Sequence, residues 1–121
     1  MKTAIVALLV ALGLSGTAMA GDLIGPVERV VDGDTIVVAG QSIRIWGVDA
    51  PERFTDEGKQ ATAFMNEILA GQSVYCRDTG TRSWNRIVAQ CWVLGSDIAR
   101  SLVDEGHAVD APKYSGGYYA E

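Results

Sequence analysis

Between Pro26 and Glu52 the chain sets Asp32, Asp34, Arg44, Asp49 and Glu52 among residues that otherwise read as plain β-strand. Carboxylates crowded at strand ends repel one another unless a cation joins them. A hard cation such as calcium takes oxygen ligands from Asp side chains and backbone carbonyls. If Asp34 and Asp49 hold one, it can bind a phosphodiester oxygen and neutralise charge that grows during attack. Glu52 is left to orient and deprotonate a water. Arg44, with Arg86 further along, can fork onto the remaining phosphate oxygens. These residue types suffice for metal-assisted phosphodiester hydrolysis. On spacing alone a purely structural alternative stands beside it. Asp32-Gly33-Asp34 is also a hairpin signal, Asp49-Ala50-Pro51-Glu52 reads as a capped turn, and Arg86 as half of a surface ion pair.

The elements that must position these groups follow from periodicity. Pro26 sets an edge before a first strand, Val27 to Asp32, and Thr35 to Ala39 resumes after the Asp-Gly-Asp break. Gly40-Gln41 turns into a third strand, Ser42 to Asp49. Arg44 and Asp49 differ by an odd number, so a regular strand sends them to opposite faces, and convergence requires a bulge or break near Gly47. Ala61, Phe64, Met65, Ile68 and Leu69 form one apolar stripe and predict a helix from about Asp56 to Ala70, with Thr55 or Asp56 as cap and Gly71 as stop. Ser73 to Asp78 reads as a fourth strand, Thr79 to Asn85 as a polar loop, and the run from Arg86 to Leu94 as a fifth, central strand. A second helix spans Asp97 to Glu105, with Ile98, Leu102 and Val103 inward. From His107 onward there is no sustained periodicity, and Tyr114, Tyr118 and Tyr119 read as a frayed tail. Five short strands curling on themselves remove their edges, which points to a small closed five-stranded barrel of the OB type with flanking helices, an α+β chain.

The 121 residues make one domain at most, and their formal net charge is −5. Residues 1–20 carry Lys2, an apolar run from Ala4 to Leu14 and Ala18-Met19-Ala20, the pattern of a secretory signal peptide cleaved after Ala20. A membrane anchor is the alternative, but the run is shorter than the roughly 20 apolar residues a bilayer needs. The mature chain, residues 21–121, is then an exported domain (periplasmic or secreted) without membrane attachment. Loss of Lys2 leaves nine basic against fifteen acidic residues. So acidic a chain can meet a polyanion only through a local basic site or a metal. His107 is the only histidine, which excludes multi-histidine zinc sites. Cys76 and Cys91 fall in adjacent strand-like runs, and a hairpin that opposes them also opposes Asp78 and Ala89. In an exported domain they are expected to form a disulfide, the alternative being two buried thiols.

Three segments carry a resemblance. Val31-Asp32-Gly33-Asp34-Thr35, then Arg44-Ile-Trp-Gly-Val-Asp49-Ala-Pro-Glu52, then Asn85-Arg86-Ile-Val-Ala89 resemble the signature segments of the staphylococcal nuclease (thermonuclease) family, in its order, over about Pro26 to Ala108. The resemblance implies an OB-fold barrel and a calcium-dependent endo- or exonuclease. Such an enzyme acts as a monomer on DNA and RNA, preferably single-stranded, and leaves 3′-phosphates. By matched position Asp34 and Asp49 resemble the calcium-ligating aspartates, Ala50 the backbone-carbonyl ligand and Asp32 an acidic neighbour of the metal. Glu52 matches the general base, and Arg44 and Arg86 the phosphate-binding arginines. Trp84-Asn85 stands where the family usually has Tyr-Gly, so the stacking platform is altered but an aromatic is kept, and the resemblance implies Trp84 as the substrate-binding ring. Ala50 replaces a threonine, and the chain stops where the family's last helix is expected to begin. Two further readings remain at this point: a noncatalytic nucleic-acid or protein-binding module on the same barrel, and a truncated, poorly folded product.

Overall fold

A computed structural model describes residues 21–120. The expected signal peptide, residues 1–20, lies outside the described residues. Eight strands and three helices follow one another. β1 is Asp22–Asp32, β2 Thr35–Val38, β3 Gln41–Ile45 and β4 Val48–Asp49. After them come helix α1, Asp56–Leu69, then β5, Ser73–Ser83, β6, Arg86–Val93, and β7, Ser96–Asp97. Helix α2, Ile98–Asp104, β8, Val109–Asp110, and helix α3, Pro112–Ser115, complete the chain.

The principal sheet runs β3-β2-β1-β5-β6-β7, and β3 also pairs in parallel with β6, Arg44 opposite Val88. That pairing closes five strands into the expected OB-type barrel. The inward faces of β2 and β3 contribute Ile36, Val38, Ile43 and Ile45, all fully buried with Met65 and Leu69 of α1. The helical stripe works as its spacing predicts: Ala61, Met65 and Leu69 are buried, and Phe64 and Ile68 pack partly against the core. Burying a Leu, Ile or Met side chain fully is worth about 1.5–3 kcal/mol, so these residues anchor α1 to the barrel. The second helix is likewise present, with Asp97 accepting from the backbone N–H groups of Ala99 and Arg100 as its cap.

Four expectations are corrected. β1 starts at Asp22, and Pro26 lies inside it. Successive N–H groups point to opposite sides of a strand. Val27 donates to Gln72 on the β5 side, so the N–H that Pro26 lacks would face the other side, where pairing with β2 only begins at Val27. The proline therefore sits where β1 changes partner. Of the segment expected as a loop, Thr79 to Asn85, only Trp84-Asn85 turns; Thr79 to Ser83 continue β5 with a bulge, pairing breaking after Asp78 and resuming with Arg82 opposite Ile87 and Ser83 opposite Arg86. The third strand is not continuous to Asp49, because the chain turns at Gly47, which has φ +87°, and splits β3 from β4. Finally, the segment after His107 is not frayed. β8 pairs with β4, α3 follows, and Tyr119 is fully buried.

Cys76 and Cys91 face each other in the β5–β6 register, with Asp78 opposite Ala89 as the expected hairpin required, and they are disulfide-bonded inside the core. A cross-link closing a 15-residue separation stabilises by about 3 kcal/mol in the chain-entropy account. The oxidised protein should therefore weigh two protons less than its reduced form, and the Cys76→Ala, Cys91→Ala double variant should lose stability of that order in urea unfolding. A full free-thiol titration of the native protein would contradict the pairing.

Candidate active site

The corner at Gly47 resolves the parity problem between Arg44 and Asp49. Leaving β3, the backbone reverses face at Trp46-Gly47, and Arg44 Nη1 donates to the carbonyls of Ile45 (2.6 Å) and Val48 (2.7 Å) across the corner. Its Nη2 donates to Asp49 Oδ1 at 2.7 Å, and Nη1 lies 3.6 Å from Asp34 Oδ2. One guanidinium thus ties together the two aspartates expected to bind metal. Gly47 is needed twice over. Its φ is left-handed, and a Cβ there would meet the Tyr119 ring at 2.7 Å.

Asp34 sits at the β1–β2 break. Its own N–H donates to Asp32 Oδ1, its Oδ2 accepts weakly from the Ala50 N–H at 3.4 Å, and its Oδ1 accepts from the Thr35 hydroxyl. Burial lifts the Asp34 carboxyl above the ordinary value of 3.8; the Arg44 charge opposes that shift, and the neighbouring Asp32 carboxylate adds to it. At Gly33 the backbone approaches so closely that a Cβ would stand 2.8 Å from both Ala50 Cβ and Ala61 Cβ. The break is therefore pressed against the Asp49–Ala50 segment and α1.

Arg86 arrives from β6 because the β3–β6 closure brings that strand alongside. Its Nη1 donates to Thr35 Oγ1 at 2.9 Å, and its Nε and Nη2 donate to the Ser83 carbonyl and hydroxyl. Thr35 accordingly links Arg86 to Asp34. The sequence offered Thr35 only as a β-branched residue; its one signal was a hydroxyl opening an otherwise apolar strand.

Arg44, Asp49 and Arg86 line one open cavity of about 410 Å³, together with Trp46, Arg82, Lys113 and Tyr114 among others. Sequence does not single out Arg82, Lys113 and Trp46, and it reads Tyr114 as part of a frayed tail, with base stacking as its alternative. Lys113 and Tyr114 reach it because Tyr119 anchors the last segment. The Tyr119 hydroxyl donates to Asp97 Oδ2 at 2.7 Å, and Gln90 Nε2 contacts both groups. Asp32, Asp34 and Ala50 are not part of that lining, although Asp34 is joined to it through Arg44 and accepts from the Ala50 N–H. Two further expected site residues stand apart. Trp84 is 93% exposed at the β5–β6 turn with φ +57°, beside the cavity but not in its lining. Glu52 is exposed and outside the lining, and among the described residues its carboxylate accepts no hydrogen bond; what is fixed is its backbone, whose carbonyl accepts from Thr55 N and Thr55 Oγ1.

Among the described residues no three His, Cys, Asp or Glu side chains gather into a metal-binding group. Asp34 and Asp49 nonetheless share Arg44 as their cationic partner, and Asp32 touches the Asp34 backbone. An oxygen-only donor set with a half-buried, charge-burdened carboxylate fits a hard divalent cation rather than a soft one.

A closed five-stranded barrel with three helices and an acidic–cationic cleft at its rim defines the class of protein. The sequence profile described as "Staphylococcal nuclease homologue" matches residues 42–121, and the chain belongs to that family. Similar proteins include the "Succinoglycan biosynthesis protein ExoI" of Rhizobium meliloti, 34% identical over 94% of this chain and 66% of that protein. An "Uncharacterized endonuclease" of Escherichia coli is 32% identical over 78% and 65%, and the "Thermonuclease" of Staphylococcus hyicus 32% over 78% and 63%. The chain spans about two thirds of the length of these relatives.

The Tyr119 anchor has a pH signature. Burial first, then its hydrogen bond to Asp97, pushes the Tyr119 hydroxyl far above the usual 10. A raised folded-state value favours the neutral form in the fold, so this contribution is complete below pH 10 and is lost as pH rises above it. Tyr119→Phe should cost about 1–3 kcal/mol at pH 7 and should flatten the fall in melting temperature between pH 9 and 11. An equally steep alkaline fall in the variant would show that Tyr119 titrates normally.

Proposed function

We propose that this protein is a calcium-dependent nuclease that hydrolyses phosphodiester bonds of DNA and RNA, preferably single-stranded. The observation that carries the proposal is that Arg44 and Arg86, from strands distant in sequence, share one cavity with Asp49, while Arg44 also pairs with Asp34. Asp34, Asp49 and the Ala50 carbonyl would hold the cation, with Asp32 as acidic neighbour. Bound there, calcium would neutralise charge on a nonbridging phosphate oxygen. Arg44 and Arg86 bind the phosphate, each with paired donors that match its oxygens. Glu52 orients a water and accepts its proton as the water oxygen bonds to phosphorus. The bond from phosphorus to the 5′-oxygen breaks and that oxygen takes a proton from solvent, leaving a 3′-phosphate on one product and a 5′-hydroxyl on the other. Trp84 offers an exposed ring at the cleft's edge on which a base can stack.

The names "endonuclease" and "Thermonuclease" borne by relatives support this reading. We further propose that residues 1–20 direct export, a reading the core disulfide supports, and that residues 21–121 work as a monomeric domain. One observation favours a binding-only module: Glu52 stands outside the cavity lining with an unbonded carboxylate.

Incubating residues 21–121 with denatured DNA separates the two. Cleavage should require calcium, stop in chelator and yield 3′-phosphate ends. Glu52→Gln should lower kcat by about 10²–10⁴-fold, the range of general-base catalysis, with calcium affinity retained. Arg86→Ala should cost about 3 kcal/mol of transition-state stabilisation, comparable to loss of one oxyanion donor. Calcium-independent DNA binding without turnover would establish the binding module instead.

A further inference from the structure

We propose that Gly58, with the Thr55 cap of α1, is a positioning residue for Glu52. The proposal rests on Glu52 being the water-activating carboxylate. Among the described residues nothing holds the Glu52 side chain, so its backbone sets the point from which that side chain reaches. Its backbone carbonyl is held by Thr55. Thr55 N–H and the Thr55 hydroxyl both donate to the Glu52 carbonyl, at 3.1 and 2.6 Å. The same hydroxyl accepts from Gly58 N–H at 3.0 Å. Gly58, Thr55 and Glu52 therefore form a hydrogen-bonded chain that runs from the first turn of the helix to the catalytic loop.

The position of Gly58 in the turn makes this unusual. It is the third residue after the cap, where a Glu or Gln commonly reaches back to the cap N–H. Here the cap N–H is committed to Glu52 instead, and the space is filled by the loop. A Cβ on Gly58 would lie 1.8 Å from the Glu52 oxygen, 2.5 Å from its carbonyl carbon and 2.8 Å from Arg53 Cα. Real Cβ atoms essentially never approach closer than 3.0 Å, so either the Glu52 carbonyl or the helix must retreat by more than 1 Å. The helix is fixed by buried Ala61, Met65 and Leu69. The exposed loop gives way. Elsewhere in a helix, Gly→Ala is stabilising because glycine has the larger conformational entropy to lose. This glycine is kept because the loop lies against it.

Displacement of a general base by about 1 Å lowers chemistry by around 10²-fold while leaving phosphate and metal contacts in place. In residues 21–121, Gly58→Ala should lower kcat by about that factor, with KM and calcium affinity unchanged. Thr55→Val should lower kcat in the same direction, and Thr55→Ser, which keeps the hydroxyl, should restore it. A crystal structure of Gly58→Ala should show the Glu52 carbonyl moved by more than 1 Å, with Arg44, Asp34 and Asp49 in place. Wild-type kcat in Gly58→Ala, or an unmoved Glu52 carbonyl, overturns the proposal. If the wild-type protein itself cleaves no nucleic acid, the nuclease reading fails, and the crystal comparison still decides whether Gly58 sets the Glu52 backbone. If Gly58→Ala does not fold, the Thr55→Val and Thr55→Ser pair carries the test, and equal kcat in those two variants counts against it.

Discussion

The parallel pairing of β3 with β6 is the constraint on which the remaining structure depends. These strands lie far apart in sequence and at distant places in the sheet order, and their pairing closes the barrel. Closure removes the open edges that a five-stranded sheet of this size would present to other chains. It also places Val88 beside Arg44, so Arg86, two residues earlier, reaches Thr35 and through it Asp34. The core disulfide holds β6 to β5 on its other side. A single long-range pairing thus produces both the core and the convergence of the two arginines.

Around that closure the charges arrange themselves by sign. The chain as a whole is acidic, yet Arg44, Arg82, Arg86 and Lys113 all face one cavity in which Asp49 is the one carboxylate among the described residues. A polyanion repelled by the general surface still meets a concentrated local field there, and low-dielectric walls focus such a field. Arg44 serves two purposes: it satisfies the carbonyls of the Gly47 corner and balances Asp34 and Asp49. The price is a crowded corner in which the backbone at Gly47 admits no side chain.

Much of this was legible in sequence, for identifiable reasons. The stripe on α1 and the β-branched runs of β2 and β6 are periodic, and period is what burial on one face leaves behind. The register of Cys76 and Cys91 followed from treating two apolar runs as a hairpin. The clash in parity between Arg44 and Asp49 was itself informative, because it demanded the break that occurs at Gly47. Other features left no such trace. Pro26 marks a change of pairing partner rather than a strand end, and only the full sheet shows which side of β1 is unpaired there. Thr79 to Ser83 is polar because it is a bulged, exposed ribbon, and polarity alone cannot separate that from a loop. Tyr119 is one buried residue in a segment too short for any period, held by Asp97 and Gln90 from other elements. With it come Lys113 and Tyr114, whose place in the cavity depends on that anchor. Within the site, the aspartates and arginines were visible as out-of-place charges, whereas the Thr35 bridge and the grip on the Glu52 carbonyl arise only from three-dimensional proximity.

The central claim is that Asp34, Asp49, Arg44 and Arg86 form a single metal-and-phosphate site, and calcium binding measured calorimetrically with and without a short single-stranded DNA tests it most directly. Using the Glu52→Gln variant keeps the DNA intact during titration. A shared site requires reciprocal coupling, so DNA should tighten calcium binding by about 5–150-fold, the span of typical coupling energies, and Arg86→Ala should remove most of that gain. Calcium and DNA affinities that are independent of each other would contradict the claim.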